Sequence, residues 1–361
     1  MEKIISGIQQ IGIGVPDVYQ AWEWYHKHFG MDVRIFEDDT VAELMLPYTG
    51  GKPQRRHAAL AMNLQGGSGF EIWQYTERTP QPPAFTIELG DLGIFAAKMK
   101  THDVAKAYEK MRMEGAEVLG KVQQDPKGSP FFFVKDPYGN IFQVIEDKLM
   151  FRKRERKATG AAVGAIIGVS DIEKAMLVYS EILGYSTVVY DNQGAFQDLQ
   201  ELHGGDGTFR RVLLKAADSH QGSFSALFGK SYIELVQAMD RTPNKIFKNR
   251  FWGDLGFIHL CFDVRGMERL KKECEHLGFG FTVDSQQNKE HQKSFDMGEA
   301  AGHFSYIEDP DGTLIEFVET HRVPIVKKLG WFLNLQKRKP NKPVPNWVIK
   351  ALRFNRIKRK K

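Results

Sequence analysis

Gln10-Ile-Gly-Ile-Gly-Val-Pro-Asp17 is the stretch on which the reading of the whole chain turns. Small or polar residues alternate with apolar ones along it, the period of a half-buried strand. Asp17 stands where a helix cap belongs, ahead of Val18 to Phe29 at helical spacing. Gly30 supplies the residue that ends such a helix, and Met31-Asp-Val-Arg-Ile35 returns as a strand.

The phrase recurs three times. Asp103 precedes Val104 to Glu114, with Gly115 and then Ala116-Glu-Val118; Asp171 precedes Ile172 to Leu183, with Gly184 and then Tyr185. Gly266 precedes Met267 to Leu277, with Gly278 and then Phe279. Cap and closing glycine are 13, 12, 13 and 12 residues apart, so the units alternate in step. Further strands close each unit, ending in Phe70-Glu-Ile-Trp73, Ile141-Phe-Gln-Val144, Tyr232-Ile-Glu-Leu235 and Leu314-Ile-Glu-Phe317. The even units share a turn before that last strand, Asp136-Pro-Tyr-Gly139 and Asp309-Pro-Asp-Gly312, with proline and glycine at type I positions. The expected fold is α+β: four βαβββ modules in two domains. Domain one covers 5–148, with modules 7–76 and 88–148; domain two covers 161–320, with modules 161–238 and 254–320. The basic stretch Arg152-Lys-Arg-Glu-Arg-Lys157 falls in the linker 149–160, and 321–361 is left as a tail.

A chain of 361 residues is long enough for two cores, and 42% hydrophobic with 26% charged residues is ordinary for a globular protein. Nothing approaches the ~20 apolar residues that span a bilayer. Met1-Glu2-Lys3-Ile4 has neither region of a signal peptide, and two cysteines, Cys261 and Cys274, make no disulfide framework. Cys261, in an apolar run, reads as a buried inert thiol, and a reducing cytoplasmic location is expected. The net charge of +5 hides an asymmetry: residues 322–361 carry 14 Lys and Arg and no acid, leaving the rest at 5 − 14 = −9. An acidic body argues against a nucleic-acid groove in the main fold.

The four units resemble the vicinal oxygen chelate superfamily of glyoxalase I, methylmalonyl-CoA epimerase, extradiol dioxygenases and antibiotic-resistance proteins. The resemblance covers roughly residues 5 to 320 and is closest in unit four, at Gly256-Phe-Ile-His-Leu260 and Phe304-Ser-Tyr-Ile-Glu-Asp-Pro-Asp-Gly-Thr-Leu-Ile-Glu-Phe317. It implies pairs of units curled into open cups around a divalent metal. Ligands come from the first strand, seven residues before the helix cap, and from the middle of the last strand. Those positions hold Gln10 and Glu71, Ala96 and Gln143, Gly164 and Glu234, and His259 and Glu316. Ala96 and Gly164 offer no donor side chain. Tandem single-chain glyoxalases pair unit one with four and two with three, which implies one working site, Gln10-Glu71-His259-Glu316, and one vestigial site. Pairing within each half stays open and would instead join Glu234 to His259 and Glu316.

One imidazole, carboxylates and an amide oxygen suit zinc, nickel, cobalt or manganese. The resemblance implies Lewis-acid help in removing a proton next to a carbonyl, through an enediolate, with Glu316 as principal base and Glu71 as its counterpart. The expected reaction of this lyase or isomerase is rearrangement of a hemithioacetal, or an epimerisation, of a small-molecule substrate. Gly14 and Leu255 stand where glyoxalase I carries glutathione-binding arginines, which counts against glutathione. Two other classes compete. A non-catalytic binding module would use Trp73, Tyr75 and Phe142 as apolar walls. A two-domain ring-cleaving or hydroxyphenylpyruvate-type dioxygenase would hold iron, but it normally wants two histidines. His203, His220, His291 and His303 read mainly as surface residues, with His303 the nearest candidate. In the tail, Trp347-Val-Ile-Lys-Ala-Leu-Arg-Phe354 has helical spacing. Packing against the acidic body is the favoured reading, with weak contact to an anionic membrane surface as the alternative.

Overall fold

The computed structural model describes residues 2–217, 221–286, 295–296, 301–326 and 330–357; His220, His291 and the basic end 358–361 lie outside it. Two curled sheets dominate. The first runs Val283–Asp284, Ala301–Glu308, Leu314–Thr320, Gly256–Arg265, Ile4–Gly14, Gly69–Tyr75, Gln54–Met62 and Val33–Ala42, with Phe295–Asp296 beside Ala301–Glu308. The second runs Thr187–Ala195, Thr208–Lys215, Tyr232–Ala238, Ala162–Gly168, Gly93–Thr101, Ile141–Glu146, Pro130–Lys135 and Glu117–Gln124. Modules one and four therefore share one sheet and modules two and three the other. In each sheet the two first strands meet antiparallel at the centre, Ile4–Gly14 on Gly256–Arg265 and Gly93–Thr101 on Ala162–Gly168.

Helices fall where the caps placed them. The side chains of Asp17, Asp103 and Asp171 accept from the backbone N–H groups of Gln20, Lys106 and Lys174 at 2.9, 3.0 and 3.0 Å. These bonds satisfy donors that a helix start leaves orphaned. The fourth helix, Met267–His276, starts from Gly266 instead, whose N–H donates to Glu319 Oε1 at 3.0 Å. One face of each helix packs outside the cups in a continuous core that includes Tyr25, Phe29, Phe70, Phe142, Tyr179 and Phe262. Two buried hydrogen bonds tie the modules of each half together. Tyr25 donates to Asp136 at 2.7 Å and Tyr179 to Asp309 at 2.9 Å, each joining an odd module's helix to the next module's turn. Sheets thus link across the halves while helices and turns link within them.

The tail folds back on the body. Arg322–Val326 and Trp331–Asn334 form a hairpin, and Asn346–Ala351 is helical. Leu335, Val344, Val348 and Ile349 are buried against Val33, Met62, Leu64, Leu227 and Phe228. Arg356 pairs with Asp32 at 3.4 Å and with Glu155. None of the described helices is long and apolar enough to cross a membrane.

Candidate metal centre

Strand alternation turns Gln10, Glu71, His259 and Glu316 to the inside of the first cup, from the first and last strands of modules one and four. The structure brings all four together. Gln10 Nε2 donates to Glu71 Oε2 at 3.0 Å and to Glu316 Oε2 at 3.3 Å. His259 Nε2 lies 3.3 Å from Glu71 Oε2 and 3.1 Å from Glu316 Oε2. Sheet register explains the fit: His259 pairs with Gly12 across the central seam. A Cβ on Gly12 would fall 2.4 Å from His259 Cε1 and 2.8 Å from its Nε2, so the imidazole lies where a side chain would otherwise stand.

The donor set fits a divalent cation. Gln10 Oε1 and both ring nitrogens of His259 are buried without a hydrogen-bond partner, although such groups are costly to leave unmade. Among the described residues, Glu71, His259 and Glu316 form the cluster whose ligand atoms lie within 4.8 Å of one another. Burial alone disfavours a charged imidazole, but Glu316 and Glu71 outweigh it and raise His259 to about 9. The two buried carboxylates thus favour positive charge at this point of the cup.

Aromatic rings close the site. Trp252 lies parallel to His259 at 6.2 Å between ring centroids, and Tyr306 stands edge-on to it at 5.7 Å. Burial first, then Glu316 and Glu71, push the Tyr306 phenol well above its usual range, so it stays protonated. Cys261 is buried and its thiol is likewise pushed up by burial. Trp73 and Tyr75 are on the cup wall as expected. Phe142 is not: Gln143 takes the inward direction, so alternation sends Phe142 to the helix side, among Trp24, Phe29 and Phe257. His303 also departs from its expected surface position. It is buried and bonded to Asp284 at 2.8 Å, not to the cup's ligands. His203 is exposed.

The second cup is built differently. Glu234 sits in the other sheet, away from His259, so it does not complete the alternative cluster with His259 and Glu316. Lys98, two residues beyond Ala96, puts its ammonium on Glu234 Oε2 at 2.6 Å and on Gln143. Arg211 donates to Glu234 Oε1 at 2.9 Å and to Asp198 at 2.9 and 3.0 Å, and Tyr190 donates to Glu234 at 2.8 Å. Burial opposes Glu234's charge, yet Lys98 and Arg211 prevail and hold it down at about 2. The ring space is filled too: Ile166 stands opposite Ala96, where the first cup has Gly12 opposite His259. Gly164 leaves no room for a ligand, because a Cβ there would meet the Tyr232 carbonyl oxygen at 1.9 Å. Sequence reading missed Lys98 and Arg211. An inward lysine in the strand Phe95-Ala-Ala-Lys-Met99 was the available signal.

The sequence profile of the Glyoxalase/Bleomycin resistance protein/Dioxygenase superfamily matches residues 7–144 and 162–317. No curated protein matches the sequence. Among solved structures, glyoxalase I from Zea mays is similar at 14% identity, over 88% of this chain and 92% of that one, with a TM-score of 0.53. A Bacillus subtilis protein assigned as a candidate dioxygenase is similar at 11% identity, over 88% of this chain and 86% of its own, with a TM-score of 0.55. At these identities the likeness is one of fold.

Proposed function

Because the chain belongs to the glyoxalase/bleomycin resistance protein/dioxygenase superfamily, we propose that it is a divalent-metal-dependent lyase or isomerase that moves a proton at a carbon next to a carbonyl. The observation that carries this reading is the convergence of Gln10, Glu71, His259 and Glu316 with donor atoms left unmatched. The working unit is then modules one and four, one from each half of the chain.

His259 and Gln10 would hold the cation from the central seam, and Glu71 and Glu316 from either side. One imidazole with oxygen donors suits zinc, nickel, cobalt or manganese, and departs from the two-histidine, one-carboxylate set of iron oxygenases. Such a metal, when bound, polarises a carbonyl oxygen as a Lewis acid. The chain's own part is the proton. Glu316 and Glu71 reach the site from opposite strands, so one carboxylate can take a proton from carbon while the other returns one to the neighbouring atom. Trp252, Tyr306 and Trp73 keep bulk water from that exchange. Cys261 and Cys274 are buried and unbridged, in keeping with a reducing, cytoplasmic setting.

The test is proton exchange. Metal-reconstituted protein is incubated in deuterated water with a panel of hemithioacetals, α-hydroxy ketones and acyl thioesters, and deuterium at the carbon next to the carbonyl is followed by NMR. Exchange or rearrangement of at least one class is expected. Glu316→Gln should lower it by roughly 10²–10⁴-fold. A metal-loaded protein inert to the whole panel would favour a binding module.

A further inference from the structure

Among the described residues, the exposed tryptophans and phenylalanines all lie in the C-terminal tail: Trp331, Phe332, Trp347 and Phe354. Trp347 and Phe354 are 61% and 76% exposed. A single apolar side chain in water is ordinary, but large rings gathered on one segment mark a surface that meets something.

The end of the tail sorts its residues by face. Asn346–Ala351 is α-helical, and Leu352–Asn355 continues it as a 3-10 helix. Val348, Ile349 and Leu352 turn inward, in the cluster with Val33, Met62 and Leu227. Trp347, Lys350 and Phe354 stand at i, i+3 and i+7 and so share the opposite face, and all three are exposed. Arg353 joins them, with its guanidinium 4.9 Å over the Phe354 ring. Packing on the body and the outward face therefore use different side chains.

Charge says what that face meets. Residues 322–361 carry 14 Lys and Arg and no acid, whereas the rest of the chain is net acidic. Arg356 is spent on Asp32 and Glu155. Lys337, Lys339, Lys342, Lys350 and Arg353 are exposed and make no ion pair with an acid among the described residues. An anionic surface attracts this tail and repels the body, which turns the tail toward it. Tryptophan and phenylalanine settle at the boundary between headgroups and acyl chains, and basic residues beside them meet the lipid charges. Bases of a nucleic acid stack on rings in a basic groove, whereas these rings stand on the outside of a helix.

We propose that the outward face of the tail, Trp347, Lys350, Arg353 and Phe354, docks the protein on an anionic lipid surface. The rings enter the headgroup layer, and the exposed lysines along the tail lie over the lipid charges. The docking is independent of the cup's chemistry and leaves the packing of Val348, Ile349 and Leu352 intact.

The test is co-sedimentation of the full chain with vesicles of phosphatidylcholine alone and of phosphatidylcholine mixed with phosphatidylserine. Binding to the mixed vesicles should be roughly tenfold tighter or more, and should fade as salt is raised. Lys350→Glu/Arg353→Glu should abolish that preference, and Trp347→Ser/Phe354→Ser should weaken binding roughly tenfold. Both variants should keep the wild-type denaturation midpoint, because the four side chains face solvent. No binding by the wild type, equal binding to the two kinds of vesicle, or a preference that both variants retain overturns the proposal. Tighter binding to a poly(U) strand than to the mixed vesicles, lost in the same variants, also overturns it and makes the face a nucleic-acid contact.

Discussion

The two cups share one strand plan and answer one electrostatic problem in opposite ways. Each turns carboxyl or amide groups inward from its last strands, and a buried carboxylate must find positive charge or neutralise. The second cup supplies that charge from within, as the Lys98 ammonium and the Arg211 guanidinium. The first leaves it to be supplied from outside, and keeps Gln10 Oε1 and the His259 nitrogens unmatched. The interchange is steric as well: glycine opposite histidine in one sheet, isoleucine opposite alanine in the other. On the proposed reading, the cup closed by its own lysine and arginine belongs to the scaffold, and the cup with unmatched donors is the one that takes a metal.

The largest expected effect breaks the second cup. Lys98→Met leaves Glu234 to Arg211 alone and Gln143 without its cation, and unfolding by denaturant should show a loss of about 3 kcal/mol, the low end of the cost of breaking a buried pair. A loss under 1 kcal/mol would mean that the ammonium is not what balances Glu234. The same network predicts a pH dependence. Glu234 is held at about 2, below its ordinary 4.5, so its contribution is fully present above the unfolded value. That contribution, on the order of 3 kcal/mol, is lost as pH falls from about 4.5 to 2. Asp263 works with the opposite sign. Burial lifts it to about 7, so the fold gains from its protonation as pH falls through that value. Denaturation midpoints measured from pH 2 to 8 separate the two, and Lys98→Met should flatten the acid limb.

A smaller change sharpens the first cup. Gly12→Ala forces the His259 ring away by its Cβ contact at 2.4 Å, and metal affinity should fall roughly 10–100-fold, the usual cost of disturbing a ligand's orientation. Unchanged affinity would show that the ring does not hold the metal from that position. The smallest effect concerns the tail, which braces the edge strand Val33–Ala42 of the first sheet through Ile349 and Val348. Ile349→Val should cost about 1 kcal/mol and leave metal content alone.

Much of this was legible in the sequence because the repeat fixes position. Cap spacing located the strands, and the strands located Gln10, Glu71, His259 and Glu316. The sheet pairing of modules one and four was implied by the resemblance to tandem glyoxalases, and the lost ligands Ala96 and Gly164 agreed with it without excluding pairing within each half. Less visible were features that depend on register between distant strands. Gly12 beneath His259 and Ile166 beside Ala96 become meaningful only once Ile4–Gly14 is laid against Gly256–Arg265 and Gly93–Thr101 against Ala162–Gly168. Phe142 was misplaced by one step of alternation. His303 was taken for a surface residue because its partner Asp284 is 19 positions away.

Metal content tests the central claim most directly, measured by mass spectrometry on untagged wild type, His259→Ala, Gln10→Ala and Glu234→Gln. About one divalent metal per chain is expected, lost in His259→Ala, weakened in Gln10→Ala and kept in Glu234→Gln. Metal that follows Glu234 instead of Gln10, or none in wild type after reconstitution, would contradict it.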